Sequence, residues 1–150
     1  MAALKFTIEI DAPEDRVWAF FAPQRMVYWY GREMEAEIEI QGGAADFALG
    51  QKVRITGKMG KKEVAHIAVV TRFEAGRTLE WQFRDPYGVR GAQAWDLEAS
   101  SDGGTRVLMR DVYTFPGRLG PIVDALLTHH AVRIRDRAAL RRLKRLAERR

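Results

Sequence analysis

The sequence predicts an α+β fold in which an antiparallel sheet of about seven strands, interrupted early by two short helices, is followed by one long C-terminal helix. Three observations predict it. Segments of two-residue apolar alternation recur between residues 4 and 115, short turns rich in Gly, Pro and Asp separate them, and from residue 122 onward there is neither glycine nor proline. Short links between consecutive strands imply an antiparallel meander. With 150 residues, 47% of them hydrophobic, the chain can build one core or an internal cavity and is too short for two ordinary domains, so residues 1–150 are expected to form a single domain.

The elements follow in order. Leu4, Phe6, Ile8 and Ile10 alternate with Lys5, Thr7 and Glu9, as a half-buried strand requires. Asp11-Ala-Pro-Glu-Asp then supplies a capping acid, a first-turn proline and two acids at the positive end of a helix expected over 13–22. Val17, Phe20 and Phe21 form its apolar face. A second helical piece over 24–30 should end at Gly31 and anchor through Met26 and Trp29, with Trp18 and Trp29 tying the short helices to the sheet. Ala36, Ile38 and Ile40 form the next strand, closed by Gly42-Gly43, and Val53, Ile55 and Met59 the one after it. Gly60-Lys-Lys turns into residues 63–73, where both parities are apolar and both faces are expected to be covered. Leu79, Trp81 and Phe83 lead through Asp85-Pro-Tyr-Gly to a strand over 89–99 with Gln93, Trp95 and Leu97 on one face. Ser101-Asp-Gly-Gly leads to a last strand with Val107, Met109, Asp111, Tyr113 and Phe115 on one face.

Residues 119–149 read as a single helix about 45 Å long. On a helical wheel Leu119, Val123, Leu126, Leu127, His130 and Ile134 share one stripe, while Leu140, Leu143, Leu146 and Ala147 share another on the far side. The helix is therefore expected to change packing partner near 136–139, by a kink, by clasping the first helix, or by pairing with a second copy in a homodimer. The net charge of +5 is also local. Residues 133–150 carry nine Arg or Lys against Asp136 and Glu148, a surplus of +7, which leaves about −2 for everything before them. Specific nucleic-acid recognition is not expected from a surplus confined to one helix end; a solvated helix end or an anionic partner or membrane surface accounts for it.

Several functions are excluded. There is no cysteine, hence no disulfide, thiol nucleophile or cysteine metal site. No apolar run reaches the roughly 20 residues of a membrane span, and the first residues lead into strand alternation rather than a signal peptide, so a cytoplasmic location is expected. Gly57-Lys-Met-Gly-Lys-Lys lacks phosphate-loop spacing and sits between strands, and neither a Gly-x-Ser-x-Gly elbow nor a dinucleotide glycine pattern occurs. No cofactor is expected. His129 and His130 are adjacent and lie about 100° apart on a helix, so no metal site is expected either.

Four segments carry a family resemblance: Ile10-Asp-Ala-Pro-Glu-Asp-Arg-Val-Trp-Ala-Phe, Trp29, Gly103-Gly-Thr-Arg-Val and Ala139-Leu-Arg-Arg-Leu-Lys-Arg-Leu-Ala-Glu. On these the chain resembles the polyketide cyclase/dehydrase-type branch of the SRPBCC superfamily, whose members share the START or Bet v 1-like helix-grip fold. The resemblance implies a curved sheet wrapped round the long helix, enclosing an apolar cavity for a lipid, polyketide or aromatic molecule. Members include binding and transfer proteins, cyclases and co-chaperone-like interaction modules, so the reaction, if any, is not implied.

Polar residues on apolar faces are the informative ones in such a cavity. Asp111 shares the inward parity of the last strand, where desolvation would suit it to acid or base work; the alternative is a structural role, tied to an arginine such as Arg84 or Arg90. His66 is the second acid–base candidate, although the spacing does not say which face of its strand points inward. Expected lining residues are Trp81, Gln93, Trp95, Met109, Asp111, Tyr113, Leu126 and His130, with Tyr113 or Gln93 placed to bond a ligand carbonyl. An enzyme of the cyclase or dehydratase kind is the alternative to a simple hydrophobic-ligand binder.

Overall fold

The alternation of residues 4–10 becomes β1 (Ala2–Ile10), and the later alternating segments become β2 (Glu37–Ile40), β3 (Lys52–Met59), β4 (Lys62–Glu74), β5 (Thr78–Arg84), β6 (Arg90–Ala99) and β7 (Thr105–Thr114). The structure, a computed structural model, describes residues 2–84, 88–114 and 129–149. The strands form one antiparallel sheet in the order β1-β7-β6-β5-β4-β3-β2, so the first strand closes beside the last and the rest is the expected meander. Between β1 and β2 lie α1 (Glu14–Trp18), a 3₁₀ turn (Ala19–Phe21), α2 (Pro23–Met26) and a second 3₁₀ turn (Arg32–Met34). The C-terminal helix α3 is described over His129–Glu148; the expected residues 119–128, Leu126 among them, lie outside the described residues, as does Phe115.

One face of the sheet is the core. Ile10, Val53, Ile55, Ala68, Val70, Leu79, Trp81, Trp95, Leu97, Val107 and Met109 are buried against Val17, Phe21, Met26 and Trp29 from the segment between β1 and β2 and Ala139, Leu140, Leu143 and Ala147 from α3. The opposite face carries the ion pairs Arg72–Glu80, Arg72–Asp96 and Arg110–Asp96. Thr105 in β7 donates a buried hydrogen bond to the Ala12 carbonyl at 2.7 Å, pinning the start of the helical segment to the sheet.

Three expectations need correction. The cap of α1 is Pro13, without a side-chain bond; Asp11 instead donates its backbone N–H to Glu148 at 2.9 Å, joining the two ends of the described chain. β4 is not covered on both faces, because Ile67 and Val69 are 42% and 37% exposed while Ala68 and Val70 are buried. The third concerns α3. Its buried face runs His129, Val132, Asp136, Ala139, Leu140, Leu143, Ala147, one continuous stripe at helical spacing, whereas His130 and Ile134 lie outside it and are exposed, Ile134 by 55%. Reading Asp136 as a solvent residue breaks this stripe and shifts its first half by about one position, or 100°. There is no change of face within the described helix.

Gly31 sets the approach to the site. It has φ +69, and a Cβ there would meet the Ala36 Cβ at 2.5 Å. Left-handed backbone costs other residues about 1–2 kcal/mol, and here the space is also filled. Gly31→Ala is therefore expected to destabilise the protein by at least about 1 kcal/mol in urea-unfolding measurements, with a change in near-ultraviolet circular dichroism from the adjoining Trp29 and Tyr30.

Candidate functional site

Strand register brings the site together. Trp81 in β5 pairs with Gln93 in β6, and Gln93 pairs with Asp111 in β7, so three inward-facing side chains lie side by side across three strands. They are bonded laterally as well. Trp81 Nε1 donates to Gln93 Oε1 at 3.0 Å, and Gln93 Nε2 donates to Asp111 Oδ2 at 3.3 Å. All three are buried, with Trp81 fully enclosed, Gln93 3% exposed and Asp111 1% exposed.

Other elements close over this row. Tyr30, which follows α2, donates its hydroxyl to Gln93 Oε1 at 2.6 Å. From α3, Arg135 Nη2 donates to Asp111 Oδ2 at 3.3 Å and to Asp136 Oδ1 at 3.4 Å. Arg135, and not Arg84 or Arg90, is thus the arginine tied to Asp111. Asp136 is only 2% exposed, and its Oδ2 has no hydrogen-bond partner among the described residues.

The electrostatics follow from burial. Two buried carboxyl groups share the guanidinium of a half-exposed arginine, so full ionisation would leave a buried negative charge uncompensated. Burial first, and then Asp111 beside it, push the Asp136 carboxyl up to about 8, against the opposing pull of Arg135. Burial alone works against the Arg135 charge, but Asp136 and the other groups around it more than offset this and raise its pKa. Burial also raises the Tyr30 phenol, which stays protonated and donating.

The row divides two environments. On one side Trp81 and Trp95 belong to an aromatic cluster with Phe21, Trp29, Tyr30 and Phe47, at centroid distances of 5.1–6.2 Å and mostly edge-to-face. Met109 is buried in the same core. On the other side, one register step along, Phe83 pairs with Gly91 and Gly91 with Tyr113. A Cβ on Gly91 would collide with the Val112 carbonyl and approach Phe83 Cζ to 2.7 Å, so glycine is what lets Phe83 lie across β6. Leu4 and Tyr113 form a separate small cluster there with Phe6, Phe83 and Val132.

His66 belongs to this second environment. It has the parity of the buried Ala68 and Val70, its ring meets Phe83 at 5.9 Å, and it is half-buried; it faces inward. Of the other expected residues, Gln93, Asp111 and Tyr113 are brought close, and Trp81 joins them through its indole N–H. His130 does not line this face. Its neighbour His129 takes that place, with Nδ1 at 3.3 Å from the Tyr113 hydroxyl. Sequence reasoning missed Tyr30, His129, Arg135 and Asp136. The signal for Asp136 was present: it stands three and four residues before Ala139 and Leu140, on the apolar stripe itself. Nothing comparable marks Tyr30, whose place depends on a loop.

With the geometry described, comparison with known proteins decides the family. The family described as polyketide cyclase / dehydrase and lipid transport matches residues 1–148. The chain belongs to it. None of the functionally curated proteins matches. Among solved structures, protein CV1439 from Chromobacterium violaceum is similar with a TM-score of 0.72 at 16% identity, over 100% of both chains. Ara h 8.0201 is similar with a TM-score of 0.74 at 13% identity, over 97% of each. DynU16, a putative protein of the dynemicin biosynthetic locus, has a TM-score of 0.66 at 21% identity, over 97% of this chain and 47% of its own. These likenesses establish the Bet v 1-like helix-grip fold, and the family is one of ligand-binding domains.

The raised Asp136 pKa has a signed consequence. Between the ordinary aspartate value and about 8 the folded state holds a proton that the unfolded state has lost, so this group contributes stability fully present below about pH 4 and lost as pH rises through 8. Urea unfolding at pH 5, 7 and 9 should show the parent chain losing stability relative to Asp136→Asn, with a difference in slope of at most about 1.4 kcal/mol per pH unit. Parallel pH profiles for the two proteins would contradict the assignment.

Proposed function

We propose that this protein binds one amphipathic small molecule on the inner face of its sheet, with the molecule's polar end against the Gln93–Asp111–Arg135 row and its apolar body beside Phe83, Tyr113 and His66. The observation that carries this reading is the row itself: a bonded line of polar side chains crossing an otherwise apolar concave face, as a site that orients a hydrophobic ligand requires. The family's description, which joins polyketide chemistry to lipid transport, supports the same class of ligand. Trp81 and Trp95 then serve as the packed wall behind the polar row.

One observation favours a second reading, an enzyme of the cyclase or dehydratase kind. A carboxyl that keeps its proton to about pH 8 is a general acid ready near neutrality, and His66 on the same face supplies a base. In this reading Asp136, through Asp111, sets the proton inventory, and Gln93 or Tyr113 orients the reacting carbonyl.

Binding is tested by native mass spectrometry of gently purified protein and by tryptophan emission during titration with fatty acids and aromatic polyketides. A retained adduct of a few hundred daltons, or saturable emission change from the Trp81–Gln93 pair, is the expected result. Gln93→Leu should weaken binding of ligands bearing a carbonyl or hydroxyl by about tenfold, the value of roughly one buried hydrogen bond, and leave purely apolar ones little changed. Absence of any adduct or emission change across the panel would remove the proposal. Turnover of a polyketone that is unchanged in Asp111→Asn and His66→Ala would remove the assignment of those residues to acid–base work.

A further inference from the structure

The outer face of α3 carries a feature that ligand binding does not use. Arg133, Arg137, Arg141, Arg145 and Arg149 recur at every fourth position, and all five are exposed. At 1.5 Å per residue the row is about 24 Å long. Residues four apart are neighbours on a helix, so each step of this row sets arginine beside arginine, an arrangement that weakens a helix on its own account. Compensation of the helix dipole reaches only the last turn and so accounts for Arg145 and Arg149 but not for the three before them.

The basic residues beside the row are already engaged. Arg142 donates to the Trp29 carbonyl at 3.0 Å and to Glu33 at 2.8 Å, and Lys144 donates to the Glu9 carbonyl at 2.8 Å and to Glu148 at 2.7 Å. Arg135 is committed to the buried carboxyls. Arg137, Arg141, Arg145 and Arg149, by contrast, form no ion pair among the described residues; Arg137 lies over the Phe6 ring at 5.7 Å, and Arg133 meets only His129. The exposed arginines therefore wind along the outer side of α3, from Arg133 near the edge of the buried stripe to Arg145 opposite it.

We infer that this row is a docking surface for an anionic lipid membrane. The choice among anionic partners rests on Ile134. It is 55% exposed, and on a wheel it lies within about 60° of Arg137, Arg141 and Arg145, so an apolar side chain stands on the same outward side, at the N-terminal end of the row between Arg133 and Arg137. Apolar side chains flanked by arginines suit the headgroup boundary of a bilayer, where the charges meet lipid phosphates and the apolar group enters the acyl edge. A phosphate backbone offers nothing to that isoleucine. Arg137, Arg141 and Arg145, with Ile134, lie within about 80° of one another on the side of α3 away from the buried stripe, so they can meet a flat surface together without unfolding. This inference stands independently of the inner face.

The test is co-sedimentation of the full chain with vesicles of phosphatidylcholine alone and of phosphatidylcholine with 30% phosphatidylglycerol. Binding only to the anionic vesicles, weakening steeply as sodium chloride rises from 50 to 300 mM, is expected. The triple variant Arg137→Gln, Arg141→Gln, Arg145→Gln should lose about a hundredfold in affinity, at about fivefold per arginine, while the same three positions changed to lysine should stay within a few-fold of the parent. Circular dichroism checks that the glutamine variant is folded, and the salt dependence of the parent chain tests the inference without any variant. Equal binding to both vesicle types, no binding to either, salt-independent binding, or an unchanged triple variant would each overturn it. So would tight binding of a duplex DNA oligomer by a chain that ignores the anionic vesicles.

Discussion

Two carboxyl groups and one guanidinium occupy the space between the sheet and α3, and the placement of much of the inner face follows from how they are reconciled. Burying ions costs several kcal/mol each unless partners are well placed. Here the imbalance is relieved by a proton held on Asp136, and Arg135 bridges the helix to Asp111 on β7. Gln93 then has a single useful orientation, because its amide N–H meets the Asp111 carboxylate while its oxygen accepts from both Tyr30 and Trp81. Reversing that amide would set donors against donors and an acceptor against a carboxylate. The orientation of one glutamine thus ties a helix, three strands and the loop carrying Tyr30 into one arrangement.

This constraint gives the molecule two unlike halves. Behind the polar row, the five rings of Phe21, Trp29, Tyr30, Trp81 and Trp95 pack with edge-to-face contacts centred on Trp95, and the segment between β1 and β2 supplies Phe21, Trp29 and Tyr30 to that packing. Beyond the row, Gly91 makes space for Phe83, and the half-buried Phe83 and His66 lie on the same face as the buried Leu4 and Tyr113. A rigid packed half and a polar partition are what a site needs to hold a ligand at one depth. The outward side of α3 follows separate rules, since the same helix that buries Asp136, Ala139, Leu140, Leu143 and Ala147 displays exposed arginines on its other side.

How far the chain could be read in advance differs between elements for physical reasons. Strands with one wet face announce themselves, and β1, β5, β6 and β7 fall where alternation placed them. β4 was ambiguous because small and β-branched residues occupy both parities; only its pairing, with Ala68 opposite Phe83 and Ile55 opposite His66, shows which side is inward. The register shift between Val70 and Arg72 adds to the difficulty, since it interrupts a strict two-residue period. In α3 a single buried acid disguised a continuous stripe. Asp111 and Gln93 were visible as polar residues at apolar positions, whereas Tyr30 was not, because a tyrosine in a loop carries no periodicity.

The sequence by itself determined the helix-grip order of elements, the inward parity of β1, β6 and β7, and the concentration of positive charge at the C-terminal end, since alternation, turn residues and charge are all local quantities. Only the tertiary structure decided that Asp111, Asp136, Arg135, Gln93 and Tyr30 form one hydrogen-bonded network, and that His129 rather than His130 meets Tyr113. Those contacts join residues from β6, β7, α3 and a loop. Each depends on strand register and helix rotation, where a shift of one residue turns a side chain to another face, and neither quantity is written in any one segment of the chain.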